Sequence, residues 1–164
     1  MAKLDPLTIR PARLADLDSL VKFSAAMALE TEGRKLDLER LRRGTTAVIE
    51  SPSRGFYLVA EASGAGRSGP VVGQLLITFE WSDWRNATFW WIQSVYVDPG
   101  HRRQGVYRRM HEFVIEEARS QGDVCGVRLY VEAKNKVAQN TYLKMGMSKA
   151  PYDVYEQDFV LKRP

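Results

Sequence analysis

One cysteine, Cys125, and two histidines, His101 and His111, are all that 164 residues hold of the softer metal ligands. A single cysteine forbids an internal disulfide and excludes cysteine-based zinc sites. The histidines match no ligand spacing and are expected in solvated or capping roles, so no metal is expected. No segment approaches the ~20 apolar residues of a membrane span. The opening MAKLDPLTIRP has no apolar run of signal-peptide length. A cytoplasmic location is the expectation. Repeats, low-complexity tracts and anything long enough to be a linker are missing, so residues 1–164 read as a single domain, large enough to bury a sizeable core.

The hydrophobic share, 45%, and the charged share, 27%, are those of an ordinary globular chain. A net charge of +4 is weak evidence for a nucleic-acid partner. Its distribution says more. Between Asp98 and Arg109 stand Arg102, Arg103, Arg108 and Arg109 against one acid, whereas YDVYEQD, Tyr152 to Asp158, holds three acids and no base.

Alternation predicts a first strand at Leu7–Pro11. Asp16 is a candidate cap for a helix reaching about Leu29, and a second helix is predicted from about Asp37 to Ile49. Strands are predicted at Phe56–Glu61, Val71–Trp81 and Thr88–Val97. A loop lies at Ser63–Pro70, and the turn Ser82–Ala87 makes a hairpin of the last two strands. A helix over about Gly105–Ser120, a strand Val127–Glu132, a short helix Ala138–Met145 ending at Gly146, and one or two strands over Tyr152–Leu161 complete the order β-α-α-β-β-β-α-β-α-β. Hairpin strands mixed with crossover helices imply a mixed α/β sheet.

Arginines at a helix start oppose the helix dipole. They are favourable there if an anion sits on the exposed N–H groups, with Gly105 letting backbone approach it and arginine donating in a bidentate way. A diphosphate fits that description. The alternative is a solvated basic helix start, or one that contacts nucleic acid. A second motif follows in NKVAQNTYLKMGM, where Asn135, Ala138 and Tyr142 fall on one helical face.

The succession V-x-V, D-P, R-x-x-G, helix, strand and N-x-x-A-x-x-x-Y-x-x-x-G resembles the GNAT superfamily of N-acetyltransferases, most specifically over residues 90–147. The resemblance implies a central mixed, mostly antiparallel sheet with flanking helices and a V-shaped split between strands 4 and 5. It implies acetyl-CoA as cosubstrate. The coenzyme arm would lie along the backbone of Val95, Tyr96 and Val97, with the pyrophosphate on Arg103, Gln104, Gly105, Val106, Tyr107 and Arg108, and Arg102 opening the pattern. Asn135 would contact the arm, and Tyr142 would be the general acid. Two departures stand out: Tyr107 occupies a Gly/Ala position, and TFWWIQSVYV carries no acid for a base, leaving Glu80, a water chain or no specific group.

Acids beside aromatics suit a cationic amine acceptor. Glu30 and Glu32, the group Glu80, Trp81, Asp83 and Trp84, and the group Asp153, Tyr155 and Glu156 lie where the family walls its acceptor site. Glu30, Asp83 and Trp84 are the substrate candidates. Trp81, Trp90 and Trp91 read equally well as core or as homodimer surface. An N-acetyltransferase acting on a small or protein amine is the leading reading. A non-catalytic acyl-CoA sensor and a nucleic-acid module are the alternatives, the last opposed by the acidic C-terminal segment.

Overall fold

The computed structural model describes residues 7–62 and 69–161. The elements are β1 (Leu7–Pro11), α1 (Leu17–Glu32), α2 (Leu38–Glu50), β2 (Phe56–Ala62), β3 (Val71–Ser82), β4 (Ala87–Val97), α3 (Val106–Ser120), β5 (Val124–Leu129) and α4 (Lys136–Lys144). They divide between two compact units, one within Met1–Tyr130 and one within Val131–Pro164. The expected loop Ser63–Pro70 falls mostly on 63–68, outside the described residues.

In the first unit the strands lie in the order β1-β2-β3-β4-β5. The first four are antiparallel neighbours, and β5 returns parallel to β4 after the α3 crossover. Both faces are covered, so β2 reads as a continuous apolar run and not as an alternation. Leu58, Ala60, Leu75, Ile77, Trp90 and Ile92 pack with Val106, Met110, Val114 and Ala118 of α3. On the opposite face Tyr57 and Val59 pack with Leu20 of α1, joined by Val48 and Ile49 of α2 and by Leu76.

Asp37 caps α2 as its type predicts, accepting from the N–H groups of Glu39 and Arg40. Asp16 stands before α1 but does not cap it. Its carboxylate accepts from Arg13 N–H (2.7 Å) and from both terminal nitrogens of Arg10 (2.8 and 3.0 Å). Arg10 also reaches the buried Glu61. A short-range cap is thus displaced by a bidentate charge-assisted pair that ties β1 to the entry of α1.

Two other expectations are corrected. β5 begins at Val124, three residues before Val127, because its parallel ladder starts opposite Thr88. No strand forms among residues 152–161, where Tyr155 and Phe159 are exposed. Alternating apolar residues make a strand only where a neighbouring strand satisfies the backbone, and the second unit has α4 as its one regular element among the described residues.

The Arg10 guanidinium, more than any other group, holds the Asp16 carboxyl below the usual aspartate range. A carboxyl depressed in the folded state stabilises it above its unfolded pKa, and that stability is lost as pH falls through the lower, folded value. Below about pH 4, wild type therefore loses stability that Asp16→Asn has already lost at every pH. Urea unfolding should show a deficit of about 1–3 kcal/mol for the variant at pH 7, shrinking toward pH 3.

Candidate active site

The turn after β4 is built by Asp98. Its side chain accepts from Gly100 N–H (3.1 Å), capping the turn, and meets His101 Nδ1 (3.2 Å), so His101 is partnered by the capping residue and does not itself cap. The chain then enters the left-handed region at Arg103 (φ 63°) and at Gly105 (φ 79°), the residue before α3. A β-branched residue tolerates such a φ poorly. The first N–H groups of a helix have no intrahelical acceptor, and no side chain caps this one. Its first turn holds no acid.

The four arginines separate into two pairs. Arg102 donates to the Val97 carbonyl (2.9 Å) and to Glu30 (2.7 Å). Arg109 donates to the Leu7 carbonyl (2.6 Å), fastening β1 to α3. Arg103 and Arg108 are exposed around the helix start, with Gln104 held by the Gly100 carbonyl. Val106 is buried in the core, and Tyr107 packs against the same core and beside His111, so its bulk is directed inward. His111 is itself buried, which lowers its pKa, and so has neither of the expected solvated or capping roles.

One turn before, β4 loses a neighbour. Pairing with β5 ends at Ile92↔Leu129, while β4 continues to Val97. The β3 register shifts at the same place, Leu76 facing Ser94 but Ile77 facing Ile92, which leaves Gln93 as the bulged residue. Asp98 N–H donates to the Val72 carbonyl (2.9 Å). Antiparallel alternation then turns the backbone groups of Ser94 and Tyr96 toward β3 and those of Val95 and Val97 toward the open edge. Of the expected trio, Val95 and Val97 present backbone there. Tyr96 instead contributes its side chain: the hydroxyl donates to Glu30 (2.7 Å), and the ring lies against Phe23 and under Arg102. Tyr96 first and Arg102 second hold the Glu30 carboxyl below its ordinary range, so Glu30 is an anchored anion already paired.

Glu80 is paired as well. One oxygen accepts from Arg128 (2.6 Å) and the other from the Trp91 indole N–H. Strand alternation puts Trp81 on the opposite face from Glu80, contrary to the expected acid-and-tryptophan grouping. Asp83 accepts from Trp84 N–H (2.9 Å) at the hairpin tip, where Trp84 is 87% exposed and Asn86 (φ 47°) closes the turn. The residues that do gather round Glu80 went unselected in the sequence. The Arg128 guanidinium lies 3.7 Å from the Phe89 ring centre and 5.9 Å from that of Trp91, and Trp91 stacks on Tyr130 at 4.4 Å. The alternation of Arg128 and Tyr130 in VRLYVE was the available signal.

In the second unit Asn135 precedes α4 and accepts from Ala138 N–H (3.0 Å), so its side-chain oxygen caps the helix. Tyr142 is half-buried on the side shared with Asn135 and Ala138. Gly146 (φ 86°) ends the helix, as expected. Asp153, Tyr155 and Glu156 are exposed.

The fold has counterparts among known proteins. The model of the acetyltransferase (GNAT) family matches residues 20–147. A possible acetyltransferase from Clostridium difficile 630 is similar over 94% of this chain and 99% of that one, at 38% identity and TM-score 0.85. An aminoglycoside N-acetyltransferase in complex with CoA covers 98% of this chain with 99% of its own, at 10% identity and TM-score 0.73. A ribosomal-protein-alanine N-acetyltransferase from Brucella melitensis biovar Abortus 2308 covers 94% with 100%, at 14% identity and TM-score 0.70. At these last two identities the likeness is one of fold. None of the curated proteins matches the chain in sequence. A family match that spans most of the chain, on a sheet whose fourth and fifth strands part above an uncapped basic helix start, places this chain in the acetyltransferase (GNAT) family.

Proposed function

We propose that the chain is an N-acetyltransferase that uses acetyl-CoA and acts on a primary amine. The observation that carries this reading is the pairing of two open backbone sites: the uncapped, arginine-flanked start of α3 and the β4 edge from Gln93 to Val97. The first suits a diphosphate, through N–H donors, the helix dipole, Arg103 and Arg108. The second suits an extended chain of amides, which the N–H and C=O of Val95 and the N–H of Val97 can pair as a strand would, the Val97 carbonyl being held by Arg102. The N–H groups and arginines present fit the pyrophosphate without rearrangement of Tyr107, which already packs inward.

Bound acetyl-CoA supplies an acetyl thioester; the amine nitrogen gains the acetyl carbon, the carbon–sulfur bond breaks, and one proton leaves the amine while one reaches sulfur. Tyr142 Oη is the proton donor to sulfur in this reading, a phenol being an acid that a leaving thiolate can draw on. Asn135 keeps its Nδ2 donors for the coenzyme arm, its oxygen being taken by Ala138. Glu80 has both oxygens engaged and acts here as a positioning residue for Arg128 and Trp91. The amine proton passes to water.

Gly105→Val should weaken acetyl-CoA binding about tenfold or more and lower unfolding free energy by about 1–2 kcal/mol. The cause is the left-handed φ, since a Cβ at that position meets no neighbouring atom. Arg109→Ala, at the Leu7 carbonyl, should cost stability while changing affinity less. Calorimetry giving equal affinities for wild type and Gly105→Val removes the phosphate site. Tyr142→Phe should lower kcat about 10²-fold at nearly constant acetyl-CoA affinity, followed by thiol release. Tight coenzyme binding by wild type with no thiol release for any amine identifies a sensor domain instead.

A further inference from the structure

We infer that Arg128, on its aromatic bed, reads a carboxylate of the acceptor, so that the amine acetylated belongs to a compound bearing both a primary amine and a carboxylate, with apolar or planar bulk beside them. This rests on the proposed amine acetylation and names its acceptor class.

Arg128 is held from one side. Its Nη1 donates to Glu80 (2.6 Å), and its plane lies over Phe89 at 3.7 Å. Phe89 can lie there because residue 126 is glycine: a Cβ at Gly126 would stand 2.7 Å from the Phe89 ring. Glu80 is fixed in turn by the Trp91 indole. A guanidinium carries five donors in a rigid fork. Here one donor is used to orient it, and the side chain remains 31% exposed. An oriented, partly desolvated arginine with donors to spare recognises a carboxylate well, because it need not be ordered on binding. An exposed ion pair by itself adds little stability, so stability alone gives weak reason for the arrangement.

Location supports the same reading. Trp91 precedes, and Tyr130 follows, the Ile92↔Leu129 pair at which β4 and β5 part. Their stacked rings form a platform between Arg128 and the open β4 edge, and Tyr130 is half exposed. A compound with its carboxylate on Arg128 lays its apolar part on this platform. A polycation is disfavoured there: Arg128 is itself a cation, and Glu80 and Glu30 are each already matched by an arginine.

The test is calorimetry of the full chain with L-phenylalanine, L-phenylalaninamide and spermidine, each with and without saturating CoA. L-Phenylalanine should bind about tenfold or more tightly than its amide, and more tightly than spermidine. Arg128→Gln should erase the preference over the amide, Arg128→Lys should restore part of it, and Tyr130→Ala should weaken acid and amide alike. CoA affinity, unchanged in all three variants, serves as the folding control. Equal binding of acid and amide, tighter binding of spermidine, no binding of L-phenylalanine, or a preference that survives Arg128→Gln overturns the inference. Loss of thiol release with CoA-independent selectivity intact would overturn acetyl transfer alone.

Discussion

Where β4 stops pairing with β5 decides most of what this protein can do. A strand without a neighbour has backbone donors and acceptors that something must satisfy. Here the pairing ends at Ile92↔Leu129. The bulge at Gln93, pinned by a side-chain bond to Thr78 Oγ1 (2.8 Å), coincides with that point. A bulge increases local twist, and twist carries the rest of β4 away from its former neighbour. Because α3 begins just beyond the same stretch, one defect in one strand leaves an open edge and a helix start within a single run of chain, Gln93 to Arg108.

Charge is arranged around that run by partners far away in sequence. Arg102 and Arg109 look interchangeable with Arg103 and Arg108 in the linear pattern. In three dimensions the first two bind Val97, Glu30 and Leu7 and so shape the frame, while the second two face outward. The acids sort the same way. Glu30 joins α1 to the end of β4 through Tyr96 and Arg102, and Glu80 joins β3 to β5 through Arg128. Glu30 and Glu80, two of the carboxylates that resembled a cation receptor, already have their cation, which moves the question of acceptor chemistry toward the arginine and rings beside Glu80.

Local pattern and motif were enough for much of this protein. Helical periodicity placed α3, turn residues placed the β3–β4 hairpin, and the two-part motif indicated the family and the phosphate-suited loop. These features are legible because each depends on residues within one or two turns of chain: a glycine that can take positive φ, a period of 3.6 or 2, an Asp-Pro-Gly stop. What depended on partners was not legible. The start of β5 at Val124 follows from the ladder with Thr88, the burial of His111 from packing against the sheet, and the irregular course of residues 152–161 from the lack of a strand to pair with. Asp16 chose Arg10 over the helix end, and Glu80 chose Arg128, 48 residues on. The sequence by itself determined most of the helices and strands of the first unit and the glycine that opens the basic start of α3. Tertiary structure alone decided which charges remain to meet a ligand, since an ion pair depends on distance in space and many such pairings are compatible with one order of residues.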